Sequence, residues 1–207
     1  MIRYRLIFVL LAALAGALAA SATTVVPPDF DQLVQSSDYV IRGRVKSLRN
    51  EIRMRDGREL PFTQVAIEVK EVIAGAPPAA VVLTMLGGRT SDGGQLTIEG
   101  VPQFTVGDED VLFVRGNGTN FHPLNAVMHG RYPVKFDKKL NREYIARANG
   151  QPLLATAEVA LPLVDSKLVR ELRRSLRADD ALTPREFAQS IRTARATRTT
   201  GGRTDVK

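Results

Sequence analysis

Four basic residues in the C-terminal part of the chain have a spacing that suits the binding of anions. They lie at intervals of three, four and three residues: Lys167, Arg170, Arg174 and Arg177. On an α-helix this spacing places all four on one face, opposite a row of leucines. A basic amphipathic helix of this kind can lie on an anionic lipid surface or polymer. The alternative is the solvated outer face of a helix that packs on the rest of the protein.

The candidate metal ligands are weaker than these candidate anion-binding residues. His122 and His129 are seven residues apart, and an odd separation places them on opposite faces of an extended chain. Zinc and copper sites need three or four converging ligands, and no third ligand has a fitting spacing. Asp108, Glu109 and Asp110 could bind calcium, but the EF-hand pattern is missing. We therefore predict no metal site and no cofactor, and interpret the acids as turn residues ahead of a strand.

The sequence also shows no motif of a catalytic nucleophile or a phosphate loop. Gly87-Gly88 and Gly93-Gly94 are typical of turns. Asn117-Gly118-Thr119 matches a glycosylation sequon, but Asn-Gly is first of all a turn dipeptide. Cysteine is absent, which excludes thiol catalysis and disulfides. We predict that the protein is not an enzyme, and a secreted hydrolase with an unrecognised site remains an alternative.

The first residues have the pattern of a secretory signal peptide. Arg3 and Arg5 precede an apolar run over residues 6–20, and Ala-x-Ala cleavage patterns end at Ala19 and Ala22. The run is short for a membrane span, which needs about 20 apolar residues. We therefore predict a signal peptide over residues 1–22, export to the periplasm or medium, and a mature protein without a transmembrane segment.

The charge of the chain narrows the choice of partners. The 207 residues carry a formal net charge of +7, and removal of the leader with its two arginines lowers it by two. Such a modest excess, in an exported protein, argues against nucleic acid as a partner. Membrane phosphates or acidic polysaccharides suit it better.

The elements that position these residues are mainly strands. Residues 29–37 predict a short helix capped by Asp29, and residues 38–48 predict a half-buried strand in which Gly43 marks a bend. Asp56-Gly57 between two apolar segments predicts a tight hairpin. Further short strands with turn signals follow as far as Ala148, which favours a small β-barrel of the OB type.

The composition changes near Pro152. Residues 166–176 predict an amphipathic helix, and Thr183-Pro184-Arg185-Glu186 predicts the capped start of a second one. Residues 193–207 contain almost no apolar side chains and predict a disordered basic tail. The predicted organisation is a barrel domain over residues 23–153, a helical segment over residues 154–192, and the tail.

Three segments together resemble a known family. They are residues 38–45 (DYVIRGRV), residues 65–75 ending in EVIAG, and FTVGD at residues 104–108 before VLFV at residues 111–114. Their order is similar to that of the netrin and TIMP-like OB barrels, and of a group of uncharacterised exported bacterial proteins. The resemblance covers residues 30–136 and implies a barrel with flanking helices and a binding role, in some members protease inhibition. TIMP-like inhibitors use an N-terminal cysteine and disulfides, so no functional residue is carried over to this cysteine-free chain.

Together these features predict an exported, non-catalytic binding module that engages another protein, with an inhibitor-like role as one form. An anionic envelope polymer or membrane surface, bound through the basic helix, is the alternative partner.

Overall fold

The computed structural model describes residues 26–163 and 178–201 of the chain. The helices are α1 (Phe30–Ser36) and α2 (Pro184–Gly201). The strands, in chain order, are β1 (Tyr39–Arg55), β2 (Arg58–Gly75), β3 (Val81–Leu86), β4 (Gly88–Arg89), β5 (Gln95–Leu96), β6 (Glu109–Val114), β7 (Arg131–Asp137) and β8 (Arg142–Ile145). Short 3₁₀ helices cover Val127–Gly130, Thr156–Ala160 and Ala178–Asp180.

The prediction of a mainly β protein is confirmed. Six antiparallel strands form one sheet in the order β3-β2-β1-β6-β7-β8, and β4 and β5 form a small second sheet. The long β1–β2 hairpin turns at Asp56 and Gly57, whose φ angles of 51° and 73° suit the tight turn expected there. Bulges interrupt the β1–β2 register beside Gly43, where a Cβ would lie 2.4 Å from the Ile67 side chain. The predicted bend in β1 is therefore correct.

The predicted barrel is wrong, because the sheet is open. Its two end strands, β3 and β8, do not pair with each other. Each is covered instead by a nearby loop: the amide of Leu86 in β3 donates to the carbonyl of Phe121, and the amide of Ile145 in β8 donates to that of Leu182. Closure of a barrel needs the two edges to meet, and here both edges already have other partners.

Both faces of the central part of the sheet are buried. On one face α1 and α2 pack through Leu33, Phe187 and Ile191 against Phe113 and Tyr132. A second apolar cluster covers the other face, beneath the loops that follow β5 and β6. The central strand β6 contributes alternate residues to the two clusters, which is why its sequence is continuously apolar.

The two described helices begin where the sequence predicts. Asp29 and Gln32 form a capping box at α1. Thr183 and Glu186 form the equivalent pair at α2, with backbone-to-side-chain hydrogen bonds of 2.8 and 3.2 Å. These reciprocal bonds satisfy amides that the first turn leaves without partners.

The prediction of a disordered tail from residue 193 is wrong for residues 193–201, because α2 continues to Gly201. The guanidinium of Arg195 donates to the carbonyls of Val34 and Ser37 at 2.8 and 3.0 Å. Arg195 therefore caps the C-terminal end of α1, a long-range role that composition alone did not suggest. Residues 202–207 lie outside the described part of the chain, as do the predicted leader and the predicted helix over residues 166–176.

None of the described helices has the length and hydropathy needed to cross a membrane.

Candidate binding groove beside the long hairpin

The far end of the β1–β2 hairpin extends past its neighbouring strands. β6 pairs with β1 only over residues 39–44, and β3 pairs with β2 only over residues 62–67. Residues 47–61, which we call the ribbon, continue beyond β6 on one side and reach past β3 on the other. Most of the ribbon is exposed to solvent.

One face of the ribbon carries exposed apolar side chains. Leu48, Ile52 and Met54 have exposed fractions of 41%, 37% and 66%. Their even numbering places them on the same side of β1, because side chains alternate along a strand. A row of exposed apolar side chains on a protruding element is typical of an interaction surface.

This apolar row leads into a groove of about 290 Å³ at the base of the ribbon. Leu48, Val65 and Met85 from the sheet form one wall, and Ile98 and Phe104 from the loop after β5 belong to the other side. Polar side chains also reach it: Asn50, Thr63, Gln95 and Gln103. The groove therefore combines apolar surface with polar groups that could orient a bound segment.

Hydrogen bonds hold the groove wall in place. The carboxamide of Asn50 donates to the carbonyl of Arg89 and accepts from its amide, both at 2.8 Å. The Thr63 hydroxyl donates to the carbonyl of Gly87 at 2.8 Å. Gly88 has a φ of 136°, and a Cβ there would lie 2.2 Å from the Asn50 side-chain oxygen. The backbone at Gly87-Gly88, where the sequence predicts a turn, therefore lies too close to the ribbon to leave room for a side chain at Gly88.

The opposite face of the ribbon combines arginines with aromatic rings. Arg55 lies 4.3 Å above the ring of Phe121, and Arg53 lies 5.2 Å from that of Phe62. The two rings stack with their centroids 6.4 Å apart. Arg53 also pairs with Glu51 at 2.9 Å. Across the described residues, no ion pair involves four further cations of this region: Arg49, Arg55, Arg58 and Arg89.

The acidic triplet at residues 108–110 is neutralised by arginines from neighbouring strands. Glu109 accepts hydrogen bonds from Arg42 at 2.6 Å and Arg44 at 3.0 Å. Asp108 and Asp110 both pair with Arg131 at 2.8 Å. These pairs border a depression of about 320 Å³. The acids thus hold strands together. Only Asp108 lies ahead of the strand as predicted, because Glu109 and Asp110 are the first two residues of β6.

Environment moves the pKa values of this cluster in opposite directions. Burial opposes ionisation of Glu109, but hydrogen bonds and charges from Arg42 and Arg44 outweigh it and lower its pKa. Burial raises the pKa of Asp110, and the charge and hydrogen bonds of Arg131 only partly offset this effect.

Among the described residues, the two histidines belong to no group that could hold a metal ion. Burial lowers the pKa of His122, and burial together with the charge of Arg147 lowers that of His129. Both side chains therefore favour the neutral form. Within residues 26–163 and 178–201, no three histidine or acidic side chains are grouped to hold a metal ion.

The candidate anion-binding residues Lys167, Arg170, Arg174 and Arg177 lie outside the described residues, and their role stays a prediction. The sequence predicts the hairpin that contains the ribbon, but it did not indicate the ribbon as a candidate site. One pattern in the sequence could have indicated this site. Leu48, Ile52 and Met54 alternate with arginines ahead of the tight turn, and another arginine follows the turn. No protein-family model and no curated protein sequence matches this chain.

Proposed function

We propose that the protein is an exported, non-catalytic binding module that holds an extended segment of a partner protein along the ribbon. The observation that carries this proposal is the exposed row of Leu48, Ile52 and Met54, which leads directly into the groove. A partner segment lying there would cover apolar surface that is otherwise left in water.

A useful free energy of binding needs contributions from both the apolar row and the groove. Full burial of one apolar side chain contributes about 1.5–3 kcal/mol. The three side chains of the row are already partly covered, so they supply less than this each. Micromolar binding needs about 8 kcal/mol. Side chains of the partner that enter the groove must contribute the remainder.

The chemistry of the groove supports binding over catalysis. Its polar side chains are amides, a hydroxyl and the arginines Arg49 and Arg89. None of these groups exchanges a proton near neutral pH, which general acid–base catalysis requires.

A peptide-display selection against the whole chain tests this proposal. Peptides that it enriches should shift the methyl NMR signals of Leu48, Ile52 and Met54, and leave those of Leu140 unchanged. Leu140 is a suitable reference because it is 41% exposed but lies between β7 and β8, away from the groove.

Matched variants sharpen the test. Met54→Lys should weaken binding of the selected peptides at least tenfold, since it places a charge within the apolar row, whereas Leu140→Lys should not. Peptides that shift signals elsewhere, or that bind the Met54→Lys variant equally well, would contradict the proposal.

An anionic polymer or membrane surface is the second candidate partner. Arg49, Arg55 and Arg58, which form no ion pair among the described residues, favour it, as does the basic helix predicted over residues 166–176. Exposed arginines of this kind attract phosphate and carboxylate groups at long range.

Export is the part of the proposal that rests on the leader sequence. The mature chain is expected to begin near Ala20 or Thr23, after the Ala-x-Ala patterns. Mass spectrometry of the exported protein measures this start directly. Recovery of a membrane-embedded chain that retains Met1 would contradict it.

A further inference from the structure

We infer that the partner segment is an acidic strand that pairs with the outer edge of β1 over residues 47–55. This inference rests on the proposed function and adds the geometry and charge of the partner.

The outer edge of β1 is open beyond its pairing with β6. The last backbone bonds on that side join the Val45 amide to the Asp108 carbonyl at 2.8 Å and the Gly107 amide to the Val45 carbonyl at 2.9 Å. On its other side β1 stays paired with β2 as far as Arg55. Within the described part of the chain, no strand pairs with residues 47–55 along the outer edge. At about 3.3 Å per residue this edge is roughly 30 Å long.

The two end strands of the sheet, β3 and β8, are covered along their outer edges. At β3 the carboxamide of Asn117 acts as a short substitute strand: it accepts from the Thr84 amide at 3.2 Å and donates to the Val82 carbonyl at 2.8 Å. At β8 the Ile145 amide donates to the Leu182 carbonyl at 2.8 Å, and the Ile145 carbonyl accepts from the Leu153 amide at 2.9 Å. Edges left open attract other strands, and native proteins usually cover them. The open edge of the ribbon is therefore a place where a partner strand can add.

The two faces of the ribbon specify the side chains of that strand. The even-numbered face presents Leu48, Ile52 and Met54, with Asn50 held against Arg89 between the first two. The odd-numbered face presents Arg49 and Arg55 on either side of the Glu51–Arg53 ion pair. Neighbouring strands place side chains of the same face beside each other, and opposite charges stabilise such pairs. An added strand that alternates apolar and acidic residues matches both faces in one register.

Charge also decides between possible occupants. A second copy of the ribbon, paired symmetrically about Ile52, would set Arg49 beside Arg55, which is unfavourable. An anionic polysaccharide would satisfy the arginines, but it offers neither a strand backbone for the edge nor side chains for the apolar row.

The probe is a nine-residue peptide of alternating glutamate and valine, with both ends blocked. It should bind the whole chain and slow amide hydrogen exchange within residues 47–55. A peptide with lysine in place of glutamate should bind at least tenfold more weakly.

Two N-methylated forms of the probe test strand pairing itself. Methylation of alternate amides removes the N–H groups along one edge of the peptide only. One of the two methylated peptides should therefore bind at least tenfold more weakly than the unmethylated probe, and the other should bind as tightly as the probe does. Equal binding of both methylated peptides would overturn the inference.

Matched charge variants test the role of the arginines. Arg49→Gln with Arg55→Gln should weaken binding of the probe about tenfold. Lys138→Gln with Lys139→Gln removes the same charge from the exposed β7–β8 turn and should have little effect. Equal losses in the two variants, or a preference for a heparin fragment over the peptide, would contradict an acidic strand as partner.

These outcomes separate the inference from the proposed function. If display-selected peptides contact the groove but both methylated peptides bind equally, strand pairing fails and the groove remains a binding site. If no selected peptide contacts the groove, the proposed function itself fails.

Discussion

At the scale of single residues, Arg131 connects the sheet to the groove. Its guanidinium binds Asp110 through two hydrogen bonds of 2.8 and 3.1 Å, and Asp108 through one of 2.8 Å. It also lies 4.3 Å above the ring of Phe104 and donates to the carbonyl of Gln103. Because Gln103 and Phe104 line the groove, Arg131 holds one of its walls against β6 and β7.

Replacement of Arg131 is expected to be strongly destabilising. Asp110 is only 1% exposed, and Arg131→Met leaves its charge buried without the arginine. Loss of one partner from a buried pair costs about 3–5 kcal/mol of the free energy of unfolding. Urea unfolding at neutral pH measures this loss. The double variant with Asp110→Asn removes the stranded charge and should recover a large part of it.

The same variant should show a defined pH dependence. Burial raises the pKa of Asp110, with Arg131 opposing it, so removal of Arg131 raises the folded-state pKa further above its unfolded value. A group with a raised folded pKa stabilises the fold when protonated, and this stability is lost as the pH rises through that pKa. The decrease in the free energy of unfolding caused by Arg131→Met should therefore be smaller at about pH 5 than at about pH 8. An equal loss at both pH values would show that Asp110 is not the cause.

The ion pairs between individual side chains were the feature hardest to predict from the sequence. The acids at residues 108–110 were predicted to lie in a turn ahead of a strand, but Glu109 and Asp110 already belong to β6. Their arginine partners lie 21 to 67 positions away in the chain, and only the folded sheet brings them together.

At the scale of elements, Asn117 has a role that its dipeptide did not indicate. Asn117-Gly118 suggested a turn, and the carboxamide in addition covers the edge of β3 with two hydrogen bonds. Asn117→Ala should cost about 1–3 kcal/mol, since a typical hydrogen bond contributes about 1 kcal/mol. It should also increase self-association, because an uncovered edge can pair with another chain.

Urea unfolding and analytical ultracentrifugation at several protein concentrations measure the two effects. Asn117→Asp is the matched control, since a carboxylate can still accept from the Thr84 amide but cannot donate to the Val82 carbonyl. An alanine variant that unfolds and sediments like wild type would show that other groups cover this edge.

The last turns of α2 are expected to contribute to stability. Truncation after Arg192 removes Arg195 and its hydrogen bonds to the end of α1. Hydrogen bonds to charged groups contribute about 1.5–3 kcal/mol, so a loss of about 2 kcal/mol is expected. Truncation after Gly201 retains Arg195 and should leave the melting temperature nearly unchanged. Equal melting temperatures for the two truncations would restore the expectation of a dispensable tail.

Local signals predicted the elements better than their arrangement. The hairpin at Asp56-Gly57, the Asp29 cap of α1 and the capping box of α2 each depend on a few adjacent residues, and all three were predicted. The barrel was wrong because closure depends on which groups cover β3 and β8. Those groups, Phe121 and Leu182, lie 35 and 37 positions from the strand residues that they bind.

At the scale of the whole molecule, positive charge is concentrated in more than one region. The ribbon carries exposed arginines, and the sequence predicts a second basic surface at Lys167, Arg170, Arg174 and Arg177. The net charge of +7 attracts the chain to any anionic surface in general. A test of the predicted helix must therefore separate the arrangement of its charges from their number.

A comparison of two variants with equal charge makes that separation. One replaces the four helix residues by glutamine, and the other replaces Lys46, Lys135, Lys138 and Lys139, which are exposed in the structure. Basic residues near an anionic membrane contribute about 1 kcal/mol each, and salt screens them beyond about 10 Å at 0.1 M ionic strength. If the four helix residues form one binding face, their replacement should release the protein from anionic liposomes at lower salt than the control does. Equal release would contradict the predicted face and leave the ribbon as the favoured site for anions.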